Sequence, residues 1–284
     1  MLDAITADFG GVPGARVLTF GESPFGELAR AADQTLVIAP ECGGRLEHLC
    51  REVLRVGGRL LGPSPDAVRL TADKLDLARH WARHAVPTPR TWPLGKEPAG
   101  LPVVVKPRDG AGSQATRLTT DQGPVLSPSR PASSWPGPLI AQEYVPGFAA
   151  SVAFVIGPAG RWPLVPCEQI LSPDGRFQYQ GGRLPIRAEL AQRAVRVATP
   201  AVVCVPGLLG YVGVDVILCD DGRDWAIEIN PRLTTSYVGL RALATFNIAE
   251  AMLAAVRGES LPEVGWHDGA ITFTPDGTVS AGGS

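Results

Sequence analysis

The 284 residues carry 26 Lys and Arg against 28 Asp and Glu, a formal net charge of −2, and 45% of them are hydrophobic. That balance gives no electrostatic basis for a nucleic-acid or membrane partner, and no stretch approaches the ~20 apolar residues of a membrane span. A chain of this length holds one large domain or two to three small ones, with a substantial core. The N-terminus shows no basic region followed by an apolar run, so no signal peptide is expected. Five cysteines (Cys42, Cys50, Cys167, Cys204, Cys219) without C-x-x-C spacing are expected to be reduced thiols of a cytoplasmic protein.

Met1–Phe9 reads as a helix. Val17–Phe20 and Thr35–Ala39 read as strands, Phe25–Ala32 and Leu46–Val56 as helices with apolar residues at helical spacing, and Arg59–Leu61 as a third short strand. This βαβαβ alternation predicts a parallel sheet. It opens with a helix where a small α/β domain normally opens with a strand, so either a first strand lies outside these residues or the sheet is reduced. Glu41 follows Leu36–Ala39 at the C-terminal edge of a parallel strand, where ligands of open α/β sheets bind. A carboxylate there can hold a substrate ammonium; the competing reading is a surface loop residue.

Gly62-Pro-Ser-Pro65 breaks the pattern and marks the first domain boundary. Pro65–Leu70 and Lys74–His84 read as helices. Lys74 sits at a helix start, where the dipole and free N–H groups favour anions, although a solvated helix residue explains it equally well. Val103–Lys106 is a buried strand that delivers an amine to a fixed point. Pro107-Arg-Asp-Gly-Ala-Gly-Ser113 follows, a loop whose glycines expose N–H groups to phosphate oxygens. An ordinary glycine-rich hairpin, with return strand Ala115–Leu118, is the alternative. Residues 121–138, rich in Pro, Ser and Gly, read as a loop.

Leu139–Val145 and Ala150–Ile156 read as strands around Pro146-Gly147. The backbone of Gln142–Gly147 can pair with the polar edge of a purine, or can be merely a turn. Arg187–Val205 is mainly helical and is expected to end or kink at Pro200. Gly210–Arg232 reads as two apolar strands around Asp221-Gly222, a strong signal for a two-residue hairpin loop. Pairing about that loop sets Asp215 opposite Glu228, roughly 5 Å apart on one face, with Asn230 on the same face. Opposed carboxylates destabilise a hairpin unless a divalent cation removes the penalty, and this hard oxygen set suits Mg²⁺ or Mn²⁺ shared with nucleotide phosphates. Arg232 follows at once and can hold a phosphate or acyl-phosphate oxygen. Ile248–Arg257 is a helix stopped by Gly258, and Gly269–Val279 suggests a small hairpin around Asp276-Gly277.

Residue scarcity sharpens this reading. The chain has only two asparagines, Asn230 and Asn247, and only three lysines, Lys74, Lys96 and Lys106. Arginine does the generic surface work, so lysine is a marked choice at Lys74 and Lys106. Other chemistries fail on spacing. Gly95-Lys96-Glu97 is not a P-loop, no G-x-G-x-x-G follows a strand, His80 and His84 lack the glutamate of H-E-x-x-H, and there is no G-x-S-x-G elbow.

In order, Asp73-Lys74, Val-Val-Val-Lys106-Pro-x-x-Gly-x-Gly-Ser113, Gln-Glu143-Tyr-Val145-Pro-Gly, Gly-Val-Asp215 and Ile-Glu228-Ile-Asn230-Pro-Arg232 resemble the ATP-grasp superfamily. The likeness spans about Ser64 to Leu240. It implies an α/β (α+β) fold: a small N-terminal α/β pre-grasp domain that looks truncated (1–63), then an ATP-grasp domain (64–284) with a lid subdomain at about 103–145. It implies ATP and Mg²⁺ or Mn²⁺ as cofactors, and ADP-forming ligation of a carboxylate to an amine through an acyl phosphate. Lys74 and Lys106 would contact ATP phosphates under a mobile lid formed by Gly110, Gly112 and Ser113. Glu143, Tyr144 and Val145 would form the adenine hinge, with Ser151 beyond it. Asp215, Glu228 and Asn230 would hold the metal, and Arg232, with Lys106, would serve the transferred phosphoryl group. Many relatives carry an acidic ribose-binding residue shortly after the hinge, where this chain has Phe148-Ala-Ala-Ser151.

Within the superfamily the chain is similar to the tyramine–glutamate ligase type of methanofuran-like cofactor pathways, on Met1-Leu…Asp8-Phe9, Ile38-Ala-Pro-Glu41, Ala150-Ser151-Val152 and Asn230-Pro-Arg-Leu-Thr-Thr-Ser236. That implies a glutamate-like carboxylate near Glu41, Thr234, Thr235 and Ser236. The expected partners are small-molecule carboxylate and amine substrates, with no nucleic acid and no membrane, and a homodimer left open. Two other readings remain: an ATP-binding regulatory or partner-dependent protein without ligase activity, and a small-molecule kinase.

Overall fold

The computed structural model describes residues 1–21, 24–100, 102–120, 135 and 137–281. Most of the expected loop at 121–138 lies outside them. Among the described residues no helix is long and apolar enough to cross a membrane. The five cysteines are free thiols.

The N-terminal segment forms α1 (Leu2–Gly10), α2 (Phe25–Ala31) and α3 (Arg45–Arg55). Its parallel sheet shrinks to one bridge, Thr35 to Leu60. Val17–Phe20 is not a strand, contrary to expectation. A strand needs a hydrogen-bonded neighbour, and among the described residues this segment has none; Phe20 is 72% exposed. Val37, Ala39 and Leu60 still bury apolar surface against Ala29, Leu46, Cys50 and Val53 of α2 and α3, so extended chain and helices share a small core. Helix α1 packs elsewhere, since Ile5 belongs to the core that includes Tyr237, Leu240 and Met252.

Next come α4 (Pro65–Ala72) and α5 (Lys74–Arg83), the first capped by Ser64 and the second by Asp73, whose carboxylate accepts from the Leu75 and Asp76 N–H groups. The strands β1 (Thr91–Pro93), β2 (Val103–Pro107), β3 (Arg117–Thr119) and β4 (Leu139–Glu143) make a smaller antiparallel sheet in the order β1-β4-β2-β3. The return strand starts two residues later than expected. Ser113 and Ala115 adopt left-handed φ values of 56° and 50°, so the chain is still turning there.

The larger antiparallel sheet adds β5 (Phe148–Gly157), β6 (Gly160–Pro163), β7 (Cys167–Leu171) and β8 (Tyr179–Leu184). After α6 (Ala188–Val203) come β9 (Gly210–Leu218) and β10 (Asp224–Asn230). Then α7 (Ser236–Leu243) and α8 (Ile248–Arg257) precede β11 (Ile271–Phe273) and β12 (Val279–Ala281). The strand order is β10-β9-β5-β7-β8-β11-β12, with β6 on β5. Helix α6 runs through Pro200 for one more turn rather than ending there. Alternation sorts the two faces. Ala150, Val152, Phe154 and Ile156 of β5 and Val212, Val214 and Val216 of β9 pack on the α6 side. The intervening residues, among them Ala153, Val155 and Tyr211, pack toward α7 and α8. Ser151 and Asp215 occupy that second face, opposite each other in the ladder, where the helices no longer cover it.

Candidate active site

Asp215 and Glu228 are opposed as expected, but by a different route. The hairpin loop has three residues, Asp220-Asp221-Gly222, because the Cys219 N–H donates to the Arg223 carbonyl (3.2 Å) and Gly222 takes φ 80°. Near the loop this pairing places Ala226 opposite Val216, one residue away from the expected register. A bulge at Ile227 then inserts the extra residue, and from there Glu228 pairs with Asp215 and Asn230 with Gly213. The Asn230 amide donates from Nδ2 to Asp215 Oδ2 (3.1 Å), which leaves its oxygen free as a ligand. Gly213 admits the chain after β10: a Cβ there would lie 2.7 Å from Thr234 Cγ2.

Two lysines face these carboxylates. Asp73, which caps α5, also takes Arg108 Nε at 2.8 and 2.9 Å, and the Lys74 N–H donates to the Arg108 carbonyl (3.0 Å). The loop after β2 is thereby tied to the start of α5. Lys74 Nζ then reaches Glu228 Oε2 at 3.5 Å and donates to the Gly110 carbonyl at 2.5 Å. Lys106, 7% exposed at the end of β2, completes the set. Burial pushes its ammonium down to about 8, opposed by Glu228 and aided by the neighbouring Lys74. Burial and the Glu228 charge push Asp215 up to about 7. Burial also acts to raise Glu228, but Lys74 and Lys106 outweigh it and hold that carboxyl below its usual range.

A cavity of about 270 Å³ opens between the two sheets. Lys74, Lys106, Gly110, Gly112, Ser113, Glu143, Tyr144, Val145, Ser151, Asp215, Glu228, Asn230, Arg232, Thr234, Thr235 and Ser236 all line it. Val104, Leu171, Ile217 and Ile227 supply apolar wall. The Glu143 side chain turns toward Arg90, which it pairs at 2.9 and 3.2 Å, and its N–H donates to the Arg90 carbonyl (2.8 Å). The Tyr144 N–H likewise donates to the Pro102 carbonyl (3.0 Å), so neither of these two N–H groups is offered at the hinge. Ser151 stands across from Asp215, at the carboxylate end of the cavity. Thr234 and Ser236 share a hydroxyl contact of 2.7 Å and both meet the Tyr211 hydroxyl.

Glu41 requires a correction. It is buried, at 5% exposed, so it is not a surface loop residue. Nor does it offer a free carboxylate to a substrate ammonium, because Arg232 takes both its oxygens at 2.5 and 3.2 Å. An unpaired carboxylate at this depth would be costly, and the guanidinium removes that cost. Gln169, Phe177 and Tyr179 also line the cavity. Gln169 and Tyr179 carry no sequence signal because β7 and β8 mix polar and apolar residues without clean alternation, and Phe177 lies in the turn between these strands.

The donor set fits a magnesium nucleotide. Among the described residues no group of three or more His, Cys, Asp or Glu gathers as a metal cage. Two carboxylates and one amide oxygen do converge, and burial together with the Glu228 charge pushes the Asp215 carboxyl up. Mg²⁺ is usually bound by one or two carboxylates, with waters and phosphate oxygens completing the shell, and the adjacent lysines match those phosphates.

Comparison with known proteins agrees. An ATP-grasp domain model matches residues 71–236, and a pre ATP-grasp 3 domain model matches residues 20–68. The chain is 31% identical over 229 residues to tyramine–L-glutamate ligase of Methanocaldococcus jannaschii, which covers 81% of this chain and 64% of that protein. This chain therefore spans just under two thirds of that relative's length. It is 24% identical over 237 residues to D-alanine–D-alanine ligase of Bordetella pertussis, covering 76% and 74% of the two chains. The structure of an ATP-grasp superfamily protein from Archaeoglobus fulgidus superposes with a TM-score of 0.67 at 28% identity, over 87% of this chain and 71% of that one. With the matched domain covering most of the chain and the Asp215–Glu228–Asn230 face opening on two lysines, this protein belongs to the ATP-grasp family.

Proposed function

We propose that this protein catalyses ADP-forming ligation of a carboxylate to an amine through an acyl phosphate, with Mg-ATP as the phosphoryl donor. The carrying observation is the convergence of Asp215, Glu228 and Asn230 with Lys74, Lys106 and Arg232 on one cavity. Phosphoryl transfer asks a protein for positioning and charge neutralisation more than for a reactive side chain.

Asp215, Glu228 and the Asn230 amide oxygen would hold Mg²⁺ or Mn²⁺, which when bound neutralises phosphate charge and orients the transferred group. Lys74 and Lys106 set two ammonium charges against the phosphate oxygens. Gly112 and Ser113, at φ 69° and 56°, turn backbone N–H groups in the loop that closes over them. The Glu143–Val145 backbone meets the adenine edge between apolar walls. Arg232 donates to the oxygens of the transferred phosphoryl group. Thr234, Thr235 and Ser236 offer hydroxyl and N–H groups to the substrate carboxylate, and burial pushes the Tyr211 phenol up so that it stays a donor beside them.

Within this class the likeness to tyramine–L-glutamate ligase favours a glutamate-like carboxylate and an aromatic amine. ADP release measured with L-glutamate and tyramine, each alone and together, tests the reading. Ligation requires release that depends on both. ADP release indifferent to the amine would instead support an ATP-binding protein that does not ligate.

A further inference from the structure

The strongest unassigned feature is the pair formed by Glu41 and Arg232, 191 residues apart. We infer that Glu41 is a positioning residue for phosphoryl transfer: it holds the Arg232 guanidinium so that its remaining donors face the transferred group. This rests on the function proposed above.

The geometry of Arg232 carries the inference. Its Nε and one Nη2 hydrogen go to the two oxygens of Glu41, and one Nη1 hydrogen goes to the Leu233 carbonyl at 3.2 Å. Three of its five N–H groups are therefore spent within the protein. A planar guanidinium gripped along one edge has its remaining edge fixed, and Arg232 lines the cavity. Without Glu41 the side chain would keep its charge and lose its orientation.

Glu41 is itself anchored through its own segment. It leads a tight turn, Cys42–Gly44, in which Gly43 and Gly44 both take left-handed φ values of 64° and 66° before α3 begins. The Gly43 N–H donates to Asp109 Oδ2 at 2.8 Å. Asp109 lies in the loop whose Gly110 carbonyl accepts from Lys74. The turn carrying Glu41 is thus fastened to the phosphate-side loop through Asp109 and to the far wall of the cavity through Arg232. This N-terminal segment contributes to the site although its own sheet is a single bridge.

The test compares equilibrium binding of MgADP alone with MgADP plus aluminium fluoride, a mimic of the transferred phosphoryl group, in wild type, Glu41→Gln, Arg232→Lys and the double variant. Wild type should bind MgADP more tightly when fluoride is present. That gain should fall about ten- to a hundredfold in Glu41→Gln and in Arg232→Lys, while affinity for MgADP alone changes by less than about twofold. The double variant should lose no more than Arg232→Lys alone, because Glu41 acts through Arg232. Glu41→Asp, which keeps the charge and shortens the reach, should fall between wild type and Glu41→Gln. It also serves as the readout should Glu41→Gln not fold, with melting temperature followed throughout. A fluoride gain retained in Glu41→Gln and Glu41→Asp, or losses that multiply in the double variant, would overturn the inference. Failure of wild type to bind MgADP would instead defeat the nucleotide reading on which it rests.

Discussion

Glu228 faces Asp215 because Ile227 bulges out of β10, between Ala226 paired with Val216 and Glu228 paired with Asp215. A regular ladder continued from the three-residue loop would have put Ile227 opposite Asp215 and left the site one carboxylate short. The bulge bends the strand where it re-aims a side chain toward the cavity, and the apolar Ile227 becomes part of the wall.

Glu228→Gln keeps the shape of the side chain and removes its charge. Mg²⁺-dependent turnover should fall at least about tenfold, equivalent to ~1.4 kcal/mol of transition-state stabilisation, and the Mg²⁺ concentration for half-maximal rate should rise. Kinetics at varied Mg²⁺ measure both, and a near-normal rate would remove Glu228 from the metal site.

Asp215 should make the ligand-free protein pH-sensitive. Burial and the Glu228 charge push its carboxyl up from an ordinary 3.8 to about 7 in the folded state. The unfolded chain ionises first, so this contribution to stability is fully present below about pH 4 and is lost as pH rises toward 7. Melting temperatures of wild type and Asp215→Asn, followed from pH 4 to 8 without nucleotide, should show a decline in wild type that the variant lacks. Parallel curves would contradict it.

Lys106 is held down at about 8 by burial, so a bound polyphosphate should raise its affinity for the proton. Nucleotide binding by wild type should weaken as pH rises through 8, and Lys106→Ala should bind ATP about tenfold or more weakly and lose that slope. Calorimetry in two buffers of different ionisation enthalpy would also detect the proton taken up.

The carboxylate of Asp8 in α1 accepts from the Tyr237 hydroxyl at 2.5 Å and from Arg241 at 2.6 and 2.9 Å, while its carbonyl takes the Asn247 amide at 2.7 Å. Asp8→Ala strands a buried phenol and should cost about 1–3 kcal/mol of stability. It should leave ATP affinity unchanged, since α1 packs on α7 and α8 away from the cavity. Denaturant unfolding together with nucleotide titration separates the two effects.

Much of the site was legible because its chemistry is local. Asp215, Glu228, Asn230 and Arg232 lie within one hairpin, and the rarity of lysine marked Lys74 and Lys106. The expected pairing of Asp215 with Glu228 held through two offsetting irregularities, a longer loop and a bulge, neither visible in residue spacing. Long-range partners were illegible. The resemblance set Glu41 near the same substrate as Thr234, Thr235 and Ser236, but nothing in the sequence shows that it pairs directly with Arg232, and nothing in Met1–Phe9 shows that it packs on the C-terminal helices. Thr35–Ala39 has the composition of a strand, yet among the described residues it forms only the Thr35 bridge, because pairing depends on neighbours elsewhere in the chain.

The most direct test of acyl-phosphate ligation follows oxygen. With a carboxylate substrate labelled with ¹⁸O, such as L-glutamate, plus tyramine and Mg-ATP, each phosphate released should carry one ¹⁸O from the carboxylate, by mass spectrometry. Phosphate released at the same rate without label would show that water, not the carboxylate, takes the phosphoryl group, and would contradict the proposed reaction.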